Sequence, residues 1–328
     1  MFAMKTGNLL FILISSVCLF IACGKDDDAG EPAEEAMPVE VKITEEPMQY
    51  ANTSAAQHAP YRAAATTTNS LTKFFMDFYF DDSWNHYTFT KSGNVWSGNL
   101  TWPTNSAVYP ITFYAYHDSD TEGYSRLSNS SNPYISVTVE ENTNYQHDII
   151  VASSKTFTYN ERGSTVNLKF NHICSAVQFK ICKTSGMSDY DIIVKEVKLC
   201  NVINSGDYYY KNDTWNYNAN NTTDFTIYDS SGLELTSSTT ELISGDDYMF
   251  MIPQTLTPWD KGATLDNTYI KLRCKVAKKG NYVVGSINEW GDAYLAVGDT
   301  WEQGKKQTIT IQVGTALRNA SGTQITKL

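Results

Sequence analysis

The side chains that could carry chemistry are sparse and poorly grouped. Five histidines, His58, His86, His117, His147 and His172, are scattered along 328 residues without metal-ligand spacing. His117-Asp118 and His147-Asp148 are neighbours in sequence, and neighbours on a strand point to opposite faces, so neither pair sets a base beside its orienter. No hydrolase elbow, phosphate-binding loop, dinucleotide fingerprint or H-E-x-x-H occurs. The chain therefore reads as a non-enzyme, with no cofactor and no metal site. Asp118-Ser119-Asp120-Thr121-Glu122-Gly123 opens like a calcium loop but places Arg126 and Asn129 at its ninth and twelfth positions, where a bidentate Glu would close the shell, so a solvated loop is expected. Residues 208–218 interleave aromatics with amides. Tyr208, Tyr210, Trp215 and Tyr217 could stack on sugar rings, and a two-strand hairpin turning near Asn212-Asp213 explains the same pattern, because strands favour Tyr and Trp.

Cysteine carries the most specific signal. Lys5 and the apolar run of residues 9–21 have the charge and length of a secretory signal, too short to span a bilayer core of roughly 30 Å. The run ends in small Ala22 directly before Cys23, which resembles the bacterial lipoprotein pattern. Residues 1–22 are then removed and Cys23 carries the lipid, whose several acyl chains hold almost irreversibly at ~0.8 kcal/mol per buried methylene. Lys25-Asp26-Asp27-Asp28 resembles the acidic tag that directs lipoproteins of the Bacteroidota to the cell surface. Of the other cysteines, Cys18 lies in the signal, and Cys174, Cys182, Cys200 and Cys274 form no C-x-x-C pair. If residues 174–182 are one extended run, those two sulfurs lie roughly 26 Å apart and cannot bond to each other. Cys274 shares parity with Ile270, Leu272 and Val276 and reads as a buried thiol.

The elements around these residues are strands. Lys and Arg number 25 against 36 Asp and Glu, a formal charge of -11 that argues against nucleic acid and anionic membrane as partners. Much of the acid lies in residues 24–50, which also hold Pro32, Pro38 and Pro47, so residues 23–62 read as an acidic tether and leading segment. Beyond it the text alternates with period two, as at Phe74, Met76, Phe78 and Phe80, or Ile135, Val137 and Val139. Val166, Leu168 and Phe170 share one parity, and Val177, Phe179 and Ile181 the other. A bulge or turn is therefore predicted within residues 171–175. Many short strands with Gly and Asn turns, and no amphipathic helical run after the signal, predict an all-β chain of two β-sandwiches. Their extents are residues 63–185 and 186–328, with a linker at 183–189.

Several separated pieces resemble the fimbrillin family, the type V pilins and pilus-associated lipoproteins of Bacteroidota. They are Arg62-Ala63 ahead of a strand ending Phe78-Tyr79-Phe80, Trp102-Pro103 followed by Ile111-Thr112-Phe113-Tyr114-Ala115-Tyr116, and Gln146-His147-Asp148-Ile149-Ile150-Val151-Ala152 followed by Val166-Asn167-Leu168-Lys169-Phe170-Asn171-His172. Trp301-Glu302-Gln303-Gly304-Lys305 before Thr308-Ile309-Thr310-Ile311 resembles the family's closing strand. The resemblance implies two tandem transthyretin-like sandwiches, export on a lipid anchor to the outer membrane and cell surface, and assembly with other fimbrial subunits by strand exchange. An arginine-specific protease would cut between Arg62 and Ala63, releasing the lipidated tether together with strand-like residues 39–44. Residues 322–328 would make a poor donor strand. The competing expectation is a surface lipoprotein that binds a host or bacterial glycan or protein through Trp215 and its neighbours.

Overall fold

Alternating apolar residues and closely spaced turns make nearly every element a strand. The computed structural model describes residues 36–50, 65–118, 127–243, 245, 247–262 and 264–325, and no α-helix occurs among them. The strands of the first part are β1 (Val41–Glu45), β2 (Gln49–Tyr50), β3 (Lys73–Phe80), β4 (Ser83–Ser92), β5 (Val95–Ser97), β6 (Tyr114–His117), β7 (Leu127–Ser128), β8 (Tyr134–Thr138), β9 (Ile150–Ser153) and β10 (Val166–His172). Then come β11 (Ser175–Lys183), β12 (Tyr190–Ile203), β13 (Ser205–Tyr209), β14 (Thr214–Tyr217), β15 (Thr222–Glu234), β16 (Thr240–Glu241) and β17 (Met249–Met251). The last are β18 (Thr255–Leu256), β19 (Tyr269–Lys278), β20 (Asn281–Val284), β21 (Gly291–Ala296), β22 (Asp299–Thr300) and β23 (Lys305–Val313).

The first large sheet has the order β1-β10-β9-β6-β3-β4-β5. One face buries Phe74, Met76, Phe78, Phe89, Trp102, Phe113, Leu168 and Phe170 in a single cluster. The opposite face is also covered: Phe75, Tyr116 and Val151 pack with Tyr208, Tyr248 and Phe250. This second layer explains why Phe75 and Asp77, which alternate with Phe74, Met76 and Phe78, are 1% and 0% exposed. In the second half, the sheet β16-β11-β23-β2 and the sheet β15-β12-β19-β20 enclose one core, with Val177, Phe179 and Ile181 facing Ile192, Val194, Leu272 and Cys274. That is the arrangement of a sandwich.

The parity change predicted within residues 171–175 falls at Ile173 and Cys174, between β10 and β11, and both residues are buried. It is also where the chain changes sheet, because β11 pairs with β16, β17 and β23 and with no strand of the first sheet. Residues 183–189, expected to link two domains, instead make a tight turn, Ser185–Met187, between two strands of the same sandwich, and Met187 is fully buried. Nor do the halves keep separate sheets: β8 pairs with β13, and β2 runs parallel to β23. The acidic leading segment also needs correction, since residues 36–50 are part of the fold. Its overall composition suits solvent, but Val39 and Val41 alternate with Glu40 and Lys42 and bury their side chains.

Candidate functional site

Strand β1 is the end strand of the first sheet and lies parallel to β10, pairing Val41 with Val166, Ile43 with Leu168 and Glu45 with Phe170. Its inward Val41 and Ile43, with Val39 just ahead of the strand, join the cluster that holds Leu100, Trp102, Leu168 and Phe170. Backbone bonds fix both ends. Val39 N–H donates to Leu100 O at 3.0 Å and Trp102 N–H to Met37 O at 2.8 Å, while Glu46 N–H donates to Phe170 O at 2.8 Å. The next inward position after Ile43 is Glu45, whose carboxylate accepts from Thr68 N–H. Glu46 pairs with Lys169 on the outer side, and that hydrogen bond, then the Lys169 charge, holds its carboxyl below the usual range. Lys91 Nζ donates to Thr68 O at 3.0 Å and so adds positive charge at the same end. A cleft of ≈ 400 Å³ runs alongside, lined by Lys42, Thr44, Asn94, Trp96 and Lys169 among others.

Beyond β1 the chain makes two parallel pairs, Gln49 with Lys305 and Tyr50 with Lys306. Arg62 and Ala63, the candidate cleavage pair, lie outside the described residues, as do Cys23 and residues 119–126 of the calcium-like loop. The chain is pinned again at Thr66, whose N–H donates to Asp148 Oδ2 at 2.7 Å. The same oxygen lies 2.8 Å from His172 Nδ1, and both side chains are buried. A second, part-buried pair joins His86 Nδ1 to Asp77 Oδ1 at 2.6 Å. Sequence reading tested only adjacent His-Asp pairs and missed both. The second was within reach: with a turn at Asp81-Asp82, the hairpin register of β3 and β4 sets Asp77 opposite His86. Among the described residues no group of three or more His, Cys, Asp or Glu is placed to hold a metal.

The aromatic run does form a hairpin, β13–β14, pairing Tyr208 with Trp215. Of its rings Tyr208 is buried and Tyr210 and Trp215 are half-buried. Tyr208 is 3% exposed and donates its hydroxyl to Asp213 Oδ1 at 2.6 Å, and burial, then that carboxylate, pushes its phenol far up. Tyr210 donates to Ala115 O at 3.2 Å, and Trp215 Nε1 donates to Ile173 O at 3.1 Å. Only Tyr217, 41% exposed and stacked on Trp215, turns substantially outward. Cys174, Cys182, Cys200 and Cys274 are free buried thiols, and burial pushes Cys200 and Cys274 each up to about 12.

Comparison with known proteins places the chain in a family and supports its fold. A family model described as fimbrillin-like matches residues 59–327. Among solved structures, a fimbrial protein from Bacteroides vulgatus superposes with a TM-score of 0.51 at 16% identity, over 84% of this chain and 95% of that one. A candidate cell adhesion protein from Bacteroides ovatus gives a TM-score of 0.42 at 11% identity, over 85% of this chain and 94% of that one. A candidate cell adhesion protein from Bacteroides eggerthii gives 0.44 at 10%, over 86% and 89%. No curated protein matches the chain in sequence.

Proposed function

The chain belongs to the fimbrillin-like family, and from that premise we propose that it is a subunit of a surface fimbria, structural and adhesive rather than catalytic, which joins its neighbours by exchanging strand β1. The observation that carries this reading is the position of β1. It is the outermost strand of its sheet, and it is connected onward through the stretch holding Arg62. Cutting after Arg62 would leave β1 attached to the fold by noncovalent contacts alone. Its departure would bare the edge of β10 and the cluster around Leu168 and Phe170, and an extended strand from another subunit would restore both.

In this scheme Cys23 carries the lipid and holds the uncut chain at the outer membrane, facing outward. The released piece would take the lipid with it, so one cut would free the subunit and open its acceptor edge together. The test is to treat the purified full chain with an arginine-specific protease and read the new first residue and the gel pattern. A core beginning at Ala63 that forms sodium-dodecyl-sulfate-resistant ladders is expected. A core that begins there and stays monomeric at high concentration, with other fimbrial subunits present, would count against strand exchange. Acylation is tested separately, by the mass of the residue-23 peptide.

A further inference from the structure

Resting on the strand-exchange reading, we infer that the groove under β1 selects an incoming strand with three modest apolar side chains at alternate positions followed by two acidic residues. The apolar part follows from what β1 places there: Val39, Val41 and Ile43, with no aromatic among them. The acidic part follows from the far end of the groove. There Thr68 N–H faces the fourth inward position and binds the Glu45 carboxylate. One residue on, Lys169 binds Glu46 from the outer side, Lys305 adds its field, and Lys91 sits on the carbonyl of Thr68. An apolar side chain at the fourth position would strand the Thr68 donor, and a lysine there would face other cations.

The same chemistry decides which strands can serve. Residues 314–328 carry Arg318 and Lys327 and no acidic side chain, so this stretch is a poor match to its own groove. Residues 135–141, Ile-Ser-Val-Thr-Val-Glu-Glu, come near the pattern, with Glu141 at the fourth inward position but Asn142 one residue on, and Tyr134–Thr138 is already paired on both edges in the four-stranded sheet. The occupant is therefore an acid-ended strand of another subunit, and a stretch with the composition of residues 314–328 does not fill this joint.

Two measurements test the selection. In the first, the full chain is cut after Arg62, washed free of its leading segment and titrated with a fluorescent peptide of residues 38–47, against the same peptide bearing Glu45→Lys and Glu46→Lys. Binding of the parent at least roughly tenfold tighter is expected, the difference that one charge-assisted hydrogen bond makes. Lys169→Glu in the protein, a change at an exposed side chain, should narrow the gap. Equal binding of the two peptides would overturn the selection while leaving exchange intact; binding of neither would remove exchange and the selection together. In the second, the uncut chain bearing Glu45→Lys and Glu46→Lys is followed by hydrogen exchange. Roughly tenfold faster exchange in β1 and β10 than in the parent supports the acidic requirement, and unchanged protection refutes it even if the protease fails to cut.

Discussion

Hydrolysis after Arg62 should release β1 spontaneously at micromolar concentration. Three inward side chains, two buried and one partly, contribute roughly 4 to 8 kcal/mol gross at ~1.5 to 3 kcal/mol each. A ladder of about five backbone bonds adds ~0.5 to 1.5 kcal/mol apiece, and ordering five residues opposes with ~1 to 2 kcal/mol apiece. The balance centres on a few kcal/mol. In the intact chain that is enough, because the connection through residues 51–64 keeps β1 at an effective concentration near ~1 mM. After the cut, dilution to ~1 µM is a thousandfold loss, about 4 kcal/mol, which cancels the balance. Gel filtration at ~1 µM should therefore separate the leading segment from the core, and the core should bind more of an apolar dye than the intact chain does. Val41→Ser, which removes one buried side chain, should speed release roughly tenfold. Co-elution of the cut pieces at 1 µM with an unchanged melting temperature would refute the reasoning, for it would mean that β1 is held far more tightly than its contacts allow.

The remaining expectations are smaller in scope. His172→Ala leaves Asp148 buried with only Thr66 N–H beside it and should lower stability by about 3 kcal/mol in urea denaturation; a loss under ~0.5 kcal/mol would show the pair to be incidental. Glu161, whose carboxyl Lys155 and then Thr158 pull down from 4.5 to about 2, is depressed in the folded state. Its contribution to stability is accordingly present above pH 4.5 and lost as the pH falls through about 2. A carbon-detected titration should find that midpoint in the folded chain, and Lys155→Met should raise it. The four buried thiols should resist iodoacetamide at pH 8 in the native protein, and all four should react in urea. Rapid native labelling of Cys274 would contradict its burial.

How far the sequence could be read depended on what lay on the second face of each strand. Period-two alternation located β8, β10 and β11 and the parity change between the last two, because in each case one face is plainly apolar in the text. It misjudged β3, where Phe75 and Asp77 alternate with the core residues yet are covered by a second layer that includes Tyr208, Tyr248 and Phe250, far away in sequence. Composition misled in the leading segment, since nine acids and three prolines between residues 24 and 50 swamp a strand of three inward apolar residues. The division at 185 and 186 followed a polar, glycine-bearing stretch, but such a stretch marks a tight turn within one sandwich as readily as a break between two, and nothing local reveals that β11 will pair with β23. Of the site, Val39 to Thr44 could be seen as strand-like and Arg62 as the arginine preceding the fold. The Thr68 and Lys169 contacts of Glu45 and Glu46 could not, because each depends on a register between segments far apart in sequence.

Under the strand-exchange proposal, magnitudes favour β1 over the other strands. Removing β3 would bare Phe74, Phe75, Met76 and Phe78, all at most 4% exposed, from the middle of the sheet. At ~1.5 to 3 kcal/mol each that is roughly 6 to 12 kcal/mol before any hydrogen bond is counted, comparable to the whole stability of a domain, so the fold would not survive the vacancy. Strand β23, by contrast, is an inner strand whose residues Lys306 to Val313 pair with β11 along nearly its full length. An end strand that, with the residue two before it, places two valines and a partly buried isoleucine inward sits in the intermediate range. On the proposed scheme it would be held when tethered and released when cut, and the groove it left would be small enough for the sheet to persist until another strand arrived. A chain with phenylalanine at positions 39, 41 and 43 should, by the same reasoning, keep its leading segment after cleavage, and its failure to assemble would follow from excess affinity rather than from a missing site.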